Sequence, residues 1–114
     1  MSDKRKEERI PVEKLPECLK TVVFTTGFFQ ENTAITVDAT RSGMGFYAEG
    51  VTEKDLYVGQ DITIKVLPYN YKLKSRVIYV KEVGENKIRF GVEFIKEQAL
   101  DKFHELLELD IYKK

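Results

Sequence analysis

From Leu19 to Phe94 the chain alternates apolar and polar residues in short runs, each ended by turn-forming residues. A period of two leaves little choice, because successive side chains then face opposite ways and each run becomes a strand with one buried face. The predicted strands cover residues 19–24, 32–37, 44–48, 61–67, 72–83 and 87–94, with 25–29 a loop or a continuation of the first. Ile62, Ile64 and Val66 alternate with Thr63 and Lys65, whereas in the next strand the inward set is either Val77 with Tyr79 or Ile78 with Val80. Gly84-Glu85-Asn86 reads as a tight hairpin turn. Turns at intervals of about 8–12 residues point to a small closed barrel or a sandwich. The period then changes. Leu100, Phe103, Leu107 and Ile111 recur at helical spacing, which predicts one amphipathic helix over 97–112 covering a face or open end of the β structure.

The N-terminal part has a different character. Residues 1–9 are almost all polar or charged and are expected to form a flexible arm, leaving 10–114 as a single domain. Residues 10–16 carry Pro11 and Pro16, so they are expected to run extended over the surface, with Ile10, Val12 and Leu15 pinning them to the barrel. Lys plus Arg and Asp plus Glu number 19 each, so the formal charge is zero and a nucleic-acid polymer is not an expected partner. Neither a signal peptide nor a membrane-length apolar run is visible, which points to a cytoplasmic protein without membrane insertion. Cys18 and His104 are the sole members of their types. That excludes a disulfide framework, disfavours a Cys/His zinc site, and leaves no Ser/His/Asp or Cys/His set for an enzyme.

Two motifs carry chemistry. Arg5 and Arg9 form an Arg-x-x-x-Arg pair, and Asp38-Ala39-Thr40-Arg41-Ser42-Gly43 forms an Asp-x-Thr-x-x-Gly turn after an alternating strand. Arginine pairs in bidentate fashion with guanine O6 and N7 or with phosphate oxygens, stacks on bases, and stays charged. Each good arginine–guanine pair contributes roughly 1–3 kcal/mol, against about 8 kcal/mol for micromolar binding. Four residues of extended chain reach about 13 Å, enough for the two guanidinium groups to grip different parts of one ligand. Asp38 can accept from the guanine N1 and N2 donors, Thr40 offers a hydroxyl, and Gly43 permits close backbone approach or positive φ. Lys4 is at best an electrostatic helper, and Arg41 reads as an exposed turn arginine within reach of the ligand. Ordering eight arm residues from nothing would cost on the order of 10 kcal/mol, which is why prior pinning of residues 10–15 matters.

The order Arg5, Arg9, Ile10-Pro11-Val12, then Asp38, Thr40, Gly43 and Met44-Gly45-Phe46, resembles the PilZ family over nearly the whole chain. Ser75 to Val80 and Gly91-Val92-Glu93-Phe94 resemble two later strands of that family. The resemblance implies a mainly β fold, a six-stranded antiparallel β-barrel of split-barrel type with a C-terminal α-helix. It also implies cyclic-di-GMP bound where the arm wraps over the barrel, by Arg5, Arg9, Asp38, Thr40 and Gly43, with Lys4, Arg41 and Tyr79 as lesser candidates. The chain departs in having Thr40 where serine is usual and Ser75 where many relatives have glycine.

The leading function is therefore a stand-alone bacterial second-messenger receptor that alters its surface on binding and regulates a protein partner. The alternative is a nucleotide-independent adaptor whose partner surface lies on the helix or at Phe28-Phe29; either a monomer or a dimer fits. An oligonucleotide-binding barrel would need basic and aromatic residues along one strand face, which the scattered lysines do not supply. His104 reads as a helix-surface histidine, and Arg76 and Arg89 as solvent-facing or salt-bridged strand residues.

Overall fold

The computed structural model describes residues 8–26, 30–52, 54–67 and 71–108. Alternation resolves into strands β1 (Ile10–Pro11), β2 (Thr21–Thr26), β3 (Gln30–Ala39), β4 (Gly43–Glu49), β5 (Asp61–Val66), β6 (Tyr71–Gly84) and β7 (Lys87–Phe94), followed by helix α1 (Glu97–Leu107). Every pairing is antiparallel. The sheet order is β1-β3-β2-β5-β6-β7-β4, and β4 pairs back onto β3. That last pairing closes β2 to β7 into a six-stranded barrel and leaves β1 as an added edge. Closure removes the free edges that an open sheet would expose.

The interior is built by the inward residue of each pair. Val22 and Phe24, Ile62 and Ile64, Leu73 and Val77, and Ile88 and Phe90 are all buried. Phe24 and Phe46 pack on Phe90 with ring centroids 5.0 and 5.3 Å away. The β6–β7 hairpin turns through Glu85 and Asn86, with Asn86 at φ 56°, a left-handed conformation that asparagine tolerates better than most residues. The helix lies mainly against β6. It buries Ala99, Phe103 and Leu106, and Phe103 meets Phe94 at 4.6 Å between ring centroids. Its first residue agrees with the sequence pattern; the stretch 109–112 of the predicted helix lies outside the described residues.

The segment before β2 departs from the expected extended run. Pro11 sits in the edge strand β1, where its missing N–H costs nothing. Then come two 3-10 turns, Val12–Lys14 and Glu17–Leu19, so Leu19 belongs to a turn and β2 starts at Thr21. Pro16 starts the second turn with φ −59°, and its carbonyl accepts from the Leu19 N–H at 2.9 Å. The turns place Leu15 and Leu19 in the core, with Ile10 and Val12 packed against it. Buried Thr36 locks the segment down: its Oγ1 donates to the Leu19 carbonyl at 2.6 Å and its N–H to the Lys20 carbonyl at 2.9 Å.

Candidate functional site

Two β-bulges assemble the site. In β3, Thr36 pairs with Phe46 but Asp38 pairs with Gly45, so Val37 is an extra residue. In β6, Val77 pairs with Val92 but Tyr79 pairs with Gly91, so Ile78 is extra. Strict alternation would send Asp38 inward with Thr36, and Tyr79 inward with Val77. Each bulge advances the register by one and turns its residue to the outer face. Gly45 also pairs with Gly91, so Asp38, Gly45, Gly91 and Tyr79 form one row across four strands.

The two glycines make room for their neighbours. A Cβ on Gly91 would stand 2.4 Å from Tyr79 Cε2, so the tyrosine ring lies directly on that glycine. A Cβ on Gly45 would stand 2.8 Å from Asp38 Oδ1 and 3.3 Å from the Tyr79 hydroxyl. The Tyr79 ring thus lies across Gly91, and its hydroxyl reaches over Gly45 beside the Asp38 carboxylate.

Arg9 reaches the same place through β1. Ile10 pairs with Ala39 and Pro11 with Asp38, which brings Arg9 to the start of the Thr40 turn. Arg9 Nη1 donates to Asp38 Oδ2 at 2.9 Å, the arginine side chain being 79% exposed and the aspartate 26%. Asp38 thus orients Arg9 over the cleft while an ion pair this exposed contributes little to stability.

The turn itself is held by its backbone. The Thr40 N–H donates to the Gly43 carbonyl at 2.9 Å, and the Phe94 N–H donates to the Ser42 carbonyl at 2.9 Å. Thr40 Oγ1 accepts from the Ser42 N–H at 3.3 Å, which leaves the hydroxyl proton to be donated outward. Gly43 serves close approach and not positive φ: a Cβ there would stand 2.2 Å from the Val92 carbonyl oxygen.

These elements enclose a cleft of about 490 Å³, within the usual size for small-molecule sites. Arg9, Asp38, Thr40, Gly43 and Tyr79 from the sequence reading all line it. Arg41 does not; it is exposed, and its carbonyl faces the helix. Arg5 and Lys4 lie outside the described residues, as do Phe28 and Phe29. Ser42, Gly45, Ile78, Gly91 and Glu93 also line the cleft and were not picked out as ligand residues from the sequence. The glycines carried a signal, since each sits in a strand where glycine often marks close approach. Glu93 had none. Among the described lining residues one cation, Arg9, faces two carboxylates, Asp38 and Glu93. Such a surface suits a ligand edge rich in N–H donors, and any phosphate on it needs further cations.

Outside the cleft, Arg76 Nε donates to Asp61 Oδ1 at 3.0 Å, while Arg89 Nε is buried without a hydrogen-bond partner. A second, lysine-rich cleft of about 410 Å³ lies between β6 and the start of α1, lined by Tyr71, Lys72, Lys74, Lys96 and Lys102. Lys102 sits 4.3 Å over the Tyr71 ring. No helix among the described residues is long and apolar enough to cross a membrane.

The profile of the PilZ domain matches residues 3–109. The fold is similar to that of the PilZ domain of YcgR from Escherichia coli, solved with c-di-GMP. The TM-score is 0.65 and the identity 16%, with 97% of this chain and 95% of that one covered. It is also similar to K. pneumonia MrkH in complex with c-di-GMP, at TM-score 0.64 and 12% identity, covering 96% of this chain and 54% of that one. Similarity to the Bacillus subtilis inhibitor of motility (MotI/DgrA) has TM-score 0.61 and 14% identity, covering 96% and 50%. The chain therefore spans about half the length of those last two. No protein of curated function matches it in sequence. At these identities the likeness to the solved structures is one of fold.

Proposed function

The chain belongs to the PilZ family, and from that premise we propose that it is a cyclic-di-GMP receptor, a binding module and not an enzyme. The observation that carries this reading is the convergence of Arg9, Asp38, Thr40 and Tyr79 on one cleft by way of two bulges and an edge strand. Structural neighbours solved with the same dinucleotide support it.

In this reading the N–H donors of a guanine Watson–Crick edge meet Asp38. Arg9 pairs with O6 and N7 or with a phosphate, and Arg5 supplies the second fork, with Lys4 adding charge. The Thr40 hydroxyl donates to a phosphate oxygen or base edge, Gly43 keeps the turn close to β7, and the Tyr79 ring offers a face for a base. Arg41 takes a peripheral place. The ligand is the messenger and no further cofactor is needed. Residues 1–9 act as the arm that closes over it, and 10–114 as the domain that receives it. The protein works in the cytoplasm.

Binding alters the surface that a downstream protein partner reads. The lysine-lined cleft beside α1 also favours a second reading, a nucleotide-independent adaptor whose partner docks at the helix.

Isothermal titration of cyclic-di-GMP into the wild-type protein and into Arg9→Ala separates the two, with GTP and cyclic-di-AMP as controls. Saturable binding that is lost in the variant and absent for the controls is the expected result. Folded wild-type protein that gives no heat would overturn the receptor reading in favour of the adaptor.

A further inference from the structure

The turn that carries Asp38, Thr40 and Gly43 is tied to the helix by a side chain that no nucleotide motif includes. His104 Nε2 lies 2.8 Å from the Arg41 carbonyl oxygen. A carbonyl only accepts, so Nε2 carries the proton and donates.

The neighbouring residue on each side makes a second, parallel tie. Phe103 is fully buried against Phe94, whose N–H holds the Ser42 carbonyl. Consecutive helix residues 103 and 104 thus reach consecutive turn residues 42 and 41, the first through Phe94 and the second directly. The direct tie is the weaker and more adjustable one, because His104 is only half-buried and its partner is a single backbone atom.

We propose that His104 is a positioning residue for nucleotide binding, acting through the Arg41 carbonyl to hold the Asp38–Gly43 turn in its binding geometry and to couple that turn to α1. The proposal rests on the receptor reading above. The barrel's own hydrogen bonds fix Thr40, Gly43 and Ser42, but Arg41, between them, is fixed from the helix. Releasing it frees the middle of the turn, and the ligand must then order what the fold had already ordered. The coupling is reciprocal: a ligand that tightens the turn also holds the helix down through the same bond.

The test uses two variants of similar bulk, His104→Gln, which keeps an N–H donor, and His104→Leu, which does not. Cyclic-di-GMP affinity is measured by titration, and amide hydrogen exchange across α1 is followed with and without ligand. His104→Leu is expected to bind about three- to tenfold more weakly and His104→Gln within about twofold of wild type, the usual reach of one neutral hydrogen bond. Ligand should slow exchange in α1 of the wild type and of His104→Gln, and measurably less in His104→Leu, where only the Phe103–Phe94 tie remains. A merely structural role would lower the melting temperature of His104→Leu without selectively reducing the ligand effect on the helix. Equal affinities and equal helix protection in all three proteins would overturn the role of His104 and leave the receptor reading standing. Absence of binding in the wild type would instead overturn the receptor reading, and this inference with it.

Discussion

Replacing Gly91 by alanine gives a sharp test of how the cleft is floored. The new Cβ would stand 2.4 Å from Tyr79 Cε2 and 2.9 Å from Cδ2, where carbon atoms rest at about 3.5–4.0 Å. The ring must therefore move by on the order of 1 Å or more. It can do so by swinging outward, because Tyr79 is 40% exposed. Gly91 is not in the left-handed region, so alanine brings no backbone strain and even restricts the unfolded chain, an effect of about 0.4–1 kcal/mol in favour of the fold. Stability should consequently change by no more than about 1 kcal/mol, or roughly 4–8 °C in Tm. Binding should suffer more. A base stacked on an aromatic ring contributes roughly 1–3 kcal/mol, so displacing the ring predicts a cyclic-di-GMP affinity lower by about five- to 150-fold.

Titration calorimetry on Gly91→Ala, Tyr79→Ala and the double variant, with thermal melts of each, closes a thermodynamic cycle. If alanine acts through the ring, it costs nothing further once Tyr79 is gone. A Gly91→Ala loss of the same size in the Tyr79→Ala background would refute the argument, as would an unchanged affinity in the single variant.

Gly43→Ala should behave in the opposite way, because its Cβ would meet the Val92 carbonyl at 2.2 Å and backbone cannot swing aside. A loss of about 3 kcal/mol is expected, seen as a fall of roughly 12–24 °C in Tm; a melt within a few degrees of wild type would contradict the close β4–β7 approach. Arg9→Lys keeps the charge but loses the fork, and should weaken cyclic-di-GMP binding by about tenfold or more, whereas affinity retained within twofold would show that Arg9 acts only as a charge. The Tyr47 hydroxyl donates to Glu49 Oε2 at 2.8 Å, and this bond, followed by desolvation and the carboxylate charge, raises the phenol pKa above its usual 10.0. A raised folded-state value means that the stabilisation is fully present below the unfolded pKa and is lost as pH rises through the folded one. Phenolate absorbance should place Tyr47 above an ordinary tyrosine and return it toward one in Glu49→Ala; identical titrations would remove the bond from consideration.

The alternating runs determined the strands, and the change of period determined the helix, because burial of one face imposes those periods directly. Lys87–Phe94 and the helix start at Glu97 needed nothing beyond the local pattern. Arg9, Asp38, Thr40 and Gly43 were singled out from residue type and order, and all four line the cleft. Which way Asp38 and Tyr79 face was not legible, since each shares sequence parity with a buried neighbour, Thr36 and Val77. A bulge is a count of two residues against one across a pair of strands, so it exists only once the partner strand is in place. The same holds for Gly45 and Gly91, whose missing side chains matter because of residues far away in sequence. It holds too for His104, which became a tie to Arg41 only when barrel closure and the Phe94–Phe103 contact brought the helix onto the turn. Local chemistry was fixed by the chain; the facing of that chemistry was decided by pairing between strands.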